Sequence, residues 1–334
     1  MQEQEKQEVV VAYKAFNKDL TCRDFQFEIG KTYEHDGKVV ACESGFHACE
    51  NPMDTWGYYD LTQSRFCTVE LSGELCRHGE DSKVAAGRIT LKAEIGLPQI
   101  ITEAVKWMLA FVKDMPAAET ASGDYSNLAA SGDYSNLAAS GDYSNLAASG
   151  NSSKLAASGD YSKLAASGYS SKLAASGNSS KLAASGYSSK LAASGDYSNL
   201  AASGNSSKLA ASGDYSNLAA SGDSSNLAAS GDYSNLAASG DYSNLAASGN
   251  SSKLAASGNS SKLAASGKKS IAVASGLNCK ASAGEDGCIA LAWWDDDAKR
   301  FRLEVAYIGE NGIEPNVTYE LDEDHKFSKV EDES

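Results

Sequence analysis

Histidine is scarce in this chain, with four residues at 35, 47, 78 and 325 among 334. No Gly-x-Ser-x-Gly elbow, glycine-rich phosphate loop or dinucleotide fingerprint accompanies them. Those absences leave the usual hydrolytic, phosphoryl-transfer and hydride-transfer machinery without its parts. No apolar run approaches the ~18 residues of a membrane span. The opening Met1–Glu8 is polar and acidic, so no export signal is expected and the chain reads as a protein of the cytoplasm. A basic stripe is missing too, which argues against nucleic-acid binding. The net charge of −15 invites the idea of a DNA mimic, yet the central repeats hold nine Asp and eight Lys and are nearly neutral. The excess acid is divided between the two ends, −7 each.

What is present is a period. Sixteen nonapeptides of the form Ser-Gly-[Asp/Asn/Tyr]-[Tyr/Ser]-Ser-[Asn/Lys]-Leu-Ala-Ala run without insertion from Ser122 to Ala265. So strict a repeat marks units that bury their apolar face only by stacking on one another. A glycine every nine residues and the lack of a 3.6-residue stripe disfavour helix. Alternation places Ser126, Leu128 and Ala130 on one face and Asn127 and Ala129 on the other. Ser131-Gly132-Asp133 supplies turn chemistry, with glycine available for positive φ and aspartate for bonds to nearby backbone. Each unit reads as a strand and a turn.

Nine residues are too few to return the chain to its start, so two units should close one coil. A hidden eighteen-residue period supports this. At the fourth position, six of eight odd-numbered units carry Tyr and only two of eight even-numbered units do. The expected fold is mainly β, a parallel two-sheeted β-solenoid of eighteen-residue coils with leucines meeting inside. Eight coils stacked about 4.8 Å apart would span about 38 Å. Tyr125, Tyr143, Tyr161, Tyr197, Tyr215 and Tyr233, with Asp124, Asp142 and Asp160 beside them, should form one broad odd-numbered face. That face is the candidate binding surface, since Tyr offers apolar area with a polar tip. Five of the eight repeat lysines fall on the even-numbered units. Nonapeptide rolls that bind calcium surround the ion with a Gly-Gly-x-Gly-x-Asp turn; here the turn holds one acid at most, and no cofactor is expected. Threonine rows of the kind that bind ice are absent from the repeats.

Composition shifts divide the chain into 1–116, an N-terminal α+β domain; 117–287, the solenoid; and 288–334, a small β domain with an acidic tail that covers an open end. In the first domain, Glu8 to Phe16, Gln26 to Glu28, Lys38 to Cys42, Arg65 to Leu71 and Arg88 to Glu94 read as strands. Asn51-Pro52 reads as the cap and first turn of a short helix to Tyr59, and Pro98 to Lys113 as a second helix. In the last domain, Ile289 to Trp294, Arg300 to Ile308 and Val317 to Leu321 read as strands. The seven cysteines are an odd count, most simply reduced thiols. Cys22, Cys42, His47 and Cys49, with His35 nearby, contain donor types for zinc but lack the paired C-x-x-C spacing, so no metal is expected.

Tyr13 to Arg23, Gly30 to Glu34 and Cys42 to Pro52 resemble an uncharacterised domain family common in phage and prophage genomes. The closing Gly312 to Tyr319 is similar to the end of its longer members, which carry short repeats between the two motifs. Ser270 to Gly276, Ala281 to Gly284 and Cys288 to Leu291 are similar to head repeats of trimeric autotransporter adhesins. Gly45 to Ala48, followed by a helix and then the strand Arg65 to Leu71, resembles ADP-ribosyltransferase-like folds, which would make the first domain an enzyme. The phage resemblance implies a phage or prophage product; together with the cytoplasmic reading and the absence of catalytic motifs, it leads to the expectation of a non-enzymatic protein that displays its solenoid to a protein partner in the host cytoplasm, binding and inhibiting a defence protein. The competing expectation is a virion fibre or adhesin assembled as a homo-oligomer, a trimer; on either reading neither nucleic acid nor membrane is a partner.

Overall fold

The computed structural model describes residues 8–56, 58–59, 64–77, 82–113 and 119–330. The chain forms two compact units, Met1–Trp107 and Met108–Ser334. The expected boundary at Met115-Pro116, His78 and the last acidic residues lie outside the described residues.

The first unit is built on a small sheet that closes on itself. Its strands are β1 (Val10–Phe16), the short β2 (Thr21–Cys22) and β3 (Phe25–Gln26), β4 (Thr32–Glu34), β5 (Phe46–Cys49), β6 (Arg65–Arg77) and β7 (Lys83–Ile95). β1 pairs with β5 and β6, while β7 pairs with β4, β5 and β6, all antiparallel. Alternation along β1 buries Val10, Ala12, Lys14 and Phe16. Val69, Leu71, Val84, Ala86, Ile89 and Leu91 from the long hairpin complete the core. Helix α1 (Pro52–Thr55) starts as expected, with the Asn51 side chain accepting from the Met53 N–H at 3.0 Å, and ends at Thr55, short of Tyr59. Helix α2 spans Leu97–Lys113.

Two expectations change here: the strand read at Gln26 to Glu28 lies at Phe25–Gln26 instead, and a second is displaced. Lys38 to Cys42, a β-branched run, makes only the isolated bridge Val40↔Ser44 because the chain turns at Cys42, φ 68°. The strand lies instead at Phe46–Cys49. Gly45 admits it, since a Cβ there would meet the Ala86 carbonyl oxygen of β7 at 3.0 Å.

The second unit is a parallel two-sheeted β-solenoid of about ten coils, about 48 Å of stacked strands at the usual 4.8 Å spacing. Residue i pairs with i+18 throughout the array: Leu128 with Leu146, Leu137 with Leu155. The first sheet holds Asn127–Ala130 and every second strand after it; the second holds Glu119–Ala121, Asn136–Ala139 and their successors. The count exceeds eight because Ile271–Ala274, Lys280–Ala283 and the start of Cys288–Asp295 keep the alternation after the motif's letters change.

Leucine and the last alanine of each unit form one continuous core between the sheets. The fifth-position serine points inward with them: Ser144, Ser162 and Ser198 are fully buried, each hydroxyl donating to the glycine carbonyl three residues earlier at 2.7–2.8 Å. Such a bond prevents an otherwise costly buried hydroxyl.

The repeat glycines are required for a different reason from the one read in the sequence. None of those in the array has positive φ; in twelve of the sixteen units the Tyr or Ser two places on adopts it. Glycine is needed because successive corners nearly touch. A Cβ on Gly213 would lie 2.4 Å from the carbonyl carbon of Gly195.

At the chain's far end, both sheets continue into antiparallel hairpins. Arg300–Tyr307 pairs with Cys288–Asp295 on the first sheet, and Tyr319–Leu321 joins Lys280–Ala283 on the second, followed by Phe327–Lys329, a strand not read from the sequence. Tyr319, Ile308 and Ile313 close the core. The expected boundary at 287/288 therefore falls inside a continuous sheet.

Gly213→Ala should destabilise the solenoid by about 1–3 kcal/mol or more through overpacking. Gly123→Ala, at the same motif position but with nothing within 4 Å of its Cβ, should change stability by no more than about 0.5 kcal/mol. Urea unfolding of the two variants measures the difference.

Candidate functional sites: a tyrosine corner and an N-terminal pocket

The structure brings the expected tyrosines together, though not on a broad face. Tyr125 to Tyr233 of the odd-numbered units occupy the corner that leads from the second sheet into the first. Their rings stack 4.9–5.0 Å apart with 4–6° between planes, in two runs of three: Tyr125, Tyr143 and Tyr161, then Tyr197, Tyr215 and Tyr233. Ser179 interrupts the row. The six rings are 43–68% exposed, so the stack presents its edges and hydroxyls to solvent.

Each ring is held by backbone. The ladder tyrosines have φ of 55–59°, a region that costs a non-glycine residue about 1–2 kcal/mol. Two bonds offset this cost at each step. The Tyr125 N–H donates to the Asp142 carbonyl at 2.8 Å, and the Asp142 N–H donates to the Asp124 carboxylate at 2.9 Å. Asp160 N–H repeats the bond to Asp142 at 2.8 Å, and Asn178 N–H the bond to Asp160 at 2.7 Å. One carboxylate oxygen of Asp124, Asp142 and Asp160 is thus structural, while these side chains remain on the surface. Crowding by the stack, then the neighbouring phenols and aspartates, pushes the Tyr143 and Tyr215 hydroxyls above the ordinary phenol range.

The opposite corner changes its turn partway along. Ser206, Ser224, Tyr242 and Ser260 are left-handed and bond the next coil, as on the tyrosine corner. Ser152, Ser170 and Ser188 instead donate back to Asp133, Asn151 and Tyr169 of the preceding coil. Tyr169 and Tyr187 stand at the third position there, stacked 5.3 Å apart. A phenol cannot replace the carboxylate or amide that receives the next coil's N–H, so adjacent corners adopt the other turn together.

The sheets also differ outside. Ala156, Ala174, Ala192 and Ala210 on the second sheet are fully buried, and Lys154 stands 4.6 Å from the Phe111 ring centre at the end of α2. Their counterparts on the first sheet, Ala147, Ala165, Ala183 and Ala201, are exposed. The same open face continues onto the terminal hairpin, where Phe301, Leu303, Val305 and Tyr307 alternate outward, each about half exposed.

The first unit contains a pocket of about 620 Å³ between β1, the β2–β3 hairpin, β5, the end of α1 and the start of β7. Lys14, Cys22, Cys42, His47 and Cys49 line it with Arg23, Lys83 and six phenylalanine and tyrosine rings. The sequence singled out the cysteines and His47; alternation along β1 could have singled out Lys14. Among the described residues no three His, Cys, Asp or Glu side chains are placed to share a metal ion. Cys22 accepts from Tyr59 and Lys14, and His47 Nε2 accepts from the Cys42 N–H at 3.0 Å. Burial, followed by the charges of Lys14, Lys83 and Arg23, holds His47 below the ordinary imidazole range.

Fold and sites together define a β-solenoid repeat protein that carries a small closed-sheet domain. Residues 10–103, which contain that domain, match the model of a family described as a domain of unknown function (DUF7666). The three N-terminal motifs fall inside the match, while Gly312–Tyr319 and the segment near 270–291 lie outside it. No curated protein and no solved structure matches the chain. No helix among the described residues is long and apolar enough to cross a membrane.

His47 has a depressed folded pKa, so its contribution to stability is complete above about pH 6.5 and is lost as pH falls through the lower folded value. Protection factors of peptides from 10–103, taken relative to the intrinsic exchange rate at each pH, should fall across that interval. His47→Gln should flatten the dependence.

Proposed function

We propose that this chain is a non-enzymatic binding protein whose solenoid displays the tyrosine corner to a protein partner. The observation that carries the reading is the row of exposed, parallel Tyr rings fixed by the Asp ladder. Their positions are set by backbone, so little side-chain freedom is lost when a partner binds. Tyr supplies apolar edges and a hydrogen-bonding tip in one side chain. A host protein, met in the cytoplasm and inhibited there as part of an antiviral system, is the partner suggested by the resemblance of Tyr13–Arg23 and Cys42–Pro52 to phage and prophage proteins.

A second reading has an observation of its own. The open alanine face of the first sheet, continued by Phe301, Leu303, Val305 and Tyr307, is suited to packing against other copies in a fibre or virion component.

Replacing Tyr143, Tyr161 and Tyr215 with Ala tests the first reading. Capture from phage-host lysate with stoichiometric recovery of one protein should fall at least about tenfold in the variant, the loss of a few interface anchors, while circular dichroism keeps the β signal. Unchanged capture refutes the tyrosine-corner assignment. Oligomers by light scattering that persist in this variant favour the second reading.

A further inference from the structure

Lys14 is 8% exposed and lies on the inward row of β1 between Ala12 and Phe16. Its ammonium donates to the His47 carbonyl at 3.0 Å and the Cys22 sulfur at 3.4 Å. It also lies 5.3 and 5.9 Å from the centres of the Phe16 and Phe27 rings. Among the described residues, no carboxylate pairs with it. A buried cation without a counter-charge is costly, and here it borders a cavity large enough for a small molecule.

The rest of the lining has the same electrical character. Arg23 and Lys83 add two cations, whereas Asp24 is the one acid that lines the pocket. Lys83 donates to the Tyr58 hydroxyl at 2.9 Å, which fixes its position at the wall. Phe25, Phe46, Tyr58 and Tyr59 provide flat apolar sides. Tyr59 donates to the Cys22 sulfur at 2.9 Å and so orients it beside the Lys14 ammonium. In a protein of net charge −15, a cavity lined by three cations and one acid focuses anions against the overall field.

We propose that this pocket binds small organic anions through Lys14, Arg23 and Lys83 and presents the Cys22 sulfur to them. Lys14 and Tyr59 bond that sulfur, and Arg23, Asp24 and His47 line the same pocket. The inference concerns the first unit alone and is independent of what the solenoid displays.

Iodoacetate and iodoacetamide test it on the full chain, because they share size and leaving group and differ in one carboxylate. With either reagent, a sulfur–carbon bond forms and the carbon–iodine bond breaks. Iodide leaves with the electron pair, and the thiol proton passes to the buffer. Mass spectrometry follows each cysteine separately, and half-buried Cys76, outside the pocket, serves as the internal reference. The ratio of iodoacetate to iodoacetamide rates at Cys22 should exceed that at Cys76 by about tenfold or more, as expected of a focusing cationic cleft. Arg23→Gln, an exposed position whose replacement spares the core, should lower the iodoacetate rate at Cys22 severalfold and leave the iodoacetamide rate unchanged. Equal ratios at Cys22 and Cys76, or equal losses with both reagents in Arg23→Gln, would overturn the proposal.

Discussion

Contact between successive corners, glycine against glycine eighteen residues apart, is the constraint on which the solenoid depends. With a Cβ excluded at that point, the strands can approach to the spacing of an ordinary parallel ladder, and every leucine falls directly over the leucine of the coil below. The core is therefore one dimensional in its logic: each coil buries its leucines only because its neighbours do. The backbone strain at the fourth position follows from the same approach. A left-handed residue turns its N–H toward the next coil's carbonyl, and the hydrogen bond so gained offsets the local cost.

That requirement makes the third and fourth positions a pair. Where the third residue is Asp or Asn along the tyrosine corner, its side-chain oxygen receives the next coil's N–H, and the fourth residue remains left-handed through eight successive corners. Where Tyr169 and Tyr187 fill the third position, no such acceptor exists and the local turns adopt the alternative form. Ser171 and Ser189 in those same corners bury hydroxyls without a partner. The third residue thus sets the backbone of its corner, while the fourth, Tyr or Ser in the same left-handed conformation, sets what that corner displays.

Much of the solenoid was legible because a strict period leaves few ways to wind. The inward Ser, Leu and Ala rows and the eighteen-residue coil followed from alternation and from the uneven use of Tyr125 and Tyr134 positions. The location of the tyrosines did not follow. A turn residue belongs to neither sheet face, and period alone does not separate corner from strand. Glycine's role was also misread, since close approach between coils eighteen residues apart leaves the same single letter as a positive φ. In the first unit, Lys38 to Cys42 has the composition of a strand, but the turn at Cys42 removes its partner. The pocket was visible only in part: Cys22 and His47 stood out by type, whereas the packing of Tyr59 and Lys83 around them joins segments far apart in sequence.

Lys14 shows how the two kinds of information meet. Alternation in β1 assigns it to the same inward row as Val10, Ala12 and Phe16, and an apolar residue there would complete the core at no electrostatic cost. The chain instead keeps an ammonium beneath two aromatic rings, bonded to a carbonyl and a sulfur. Neutral acceptors satisfy its hydrogen bonds but not its charge. In a small closed sheet whose stability is limited by size, such a residue is a net burden to folding, and its position at the cavity wall identifies what can relieve it: a negative charge brought by a ligand.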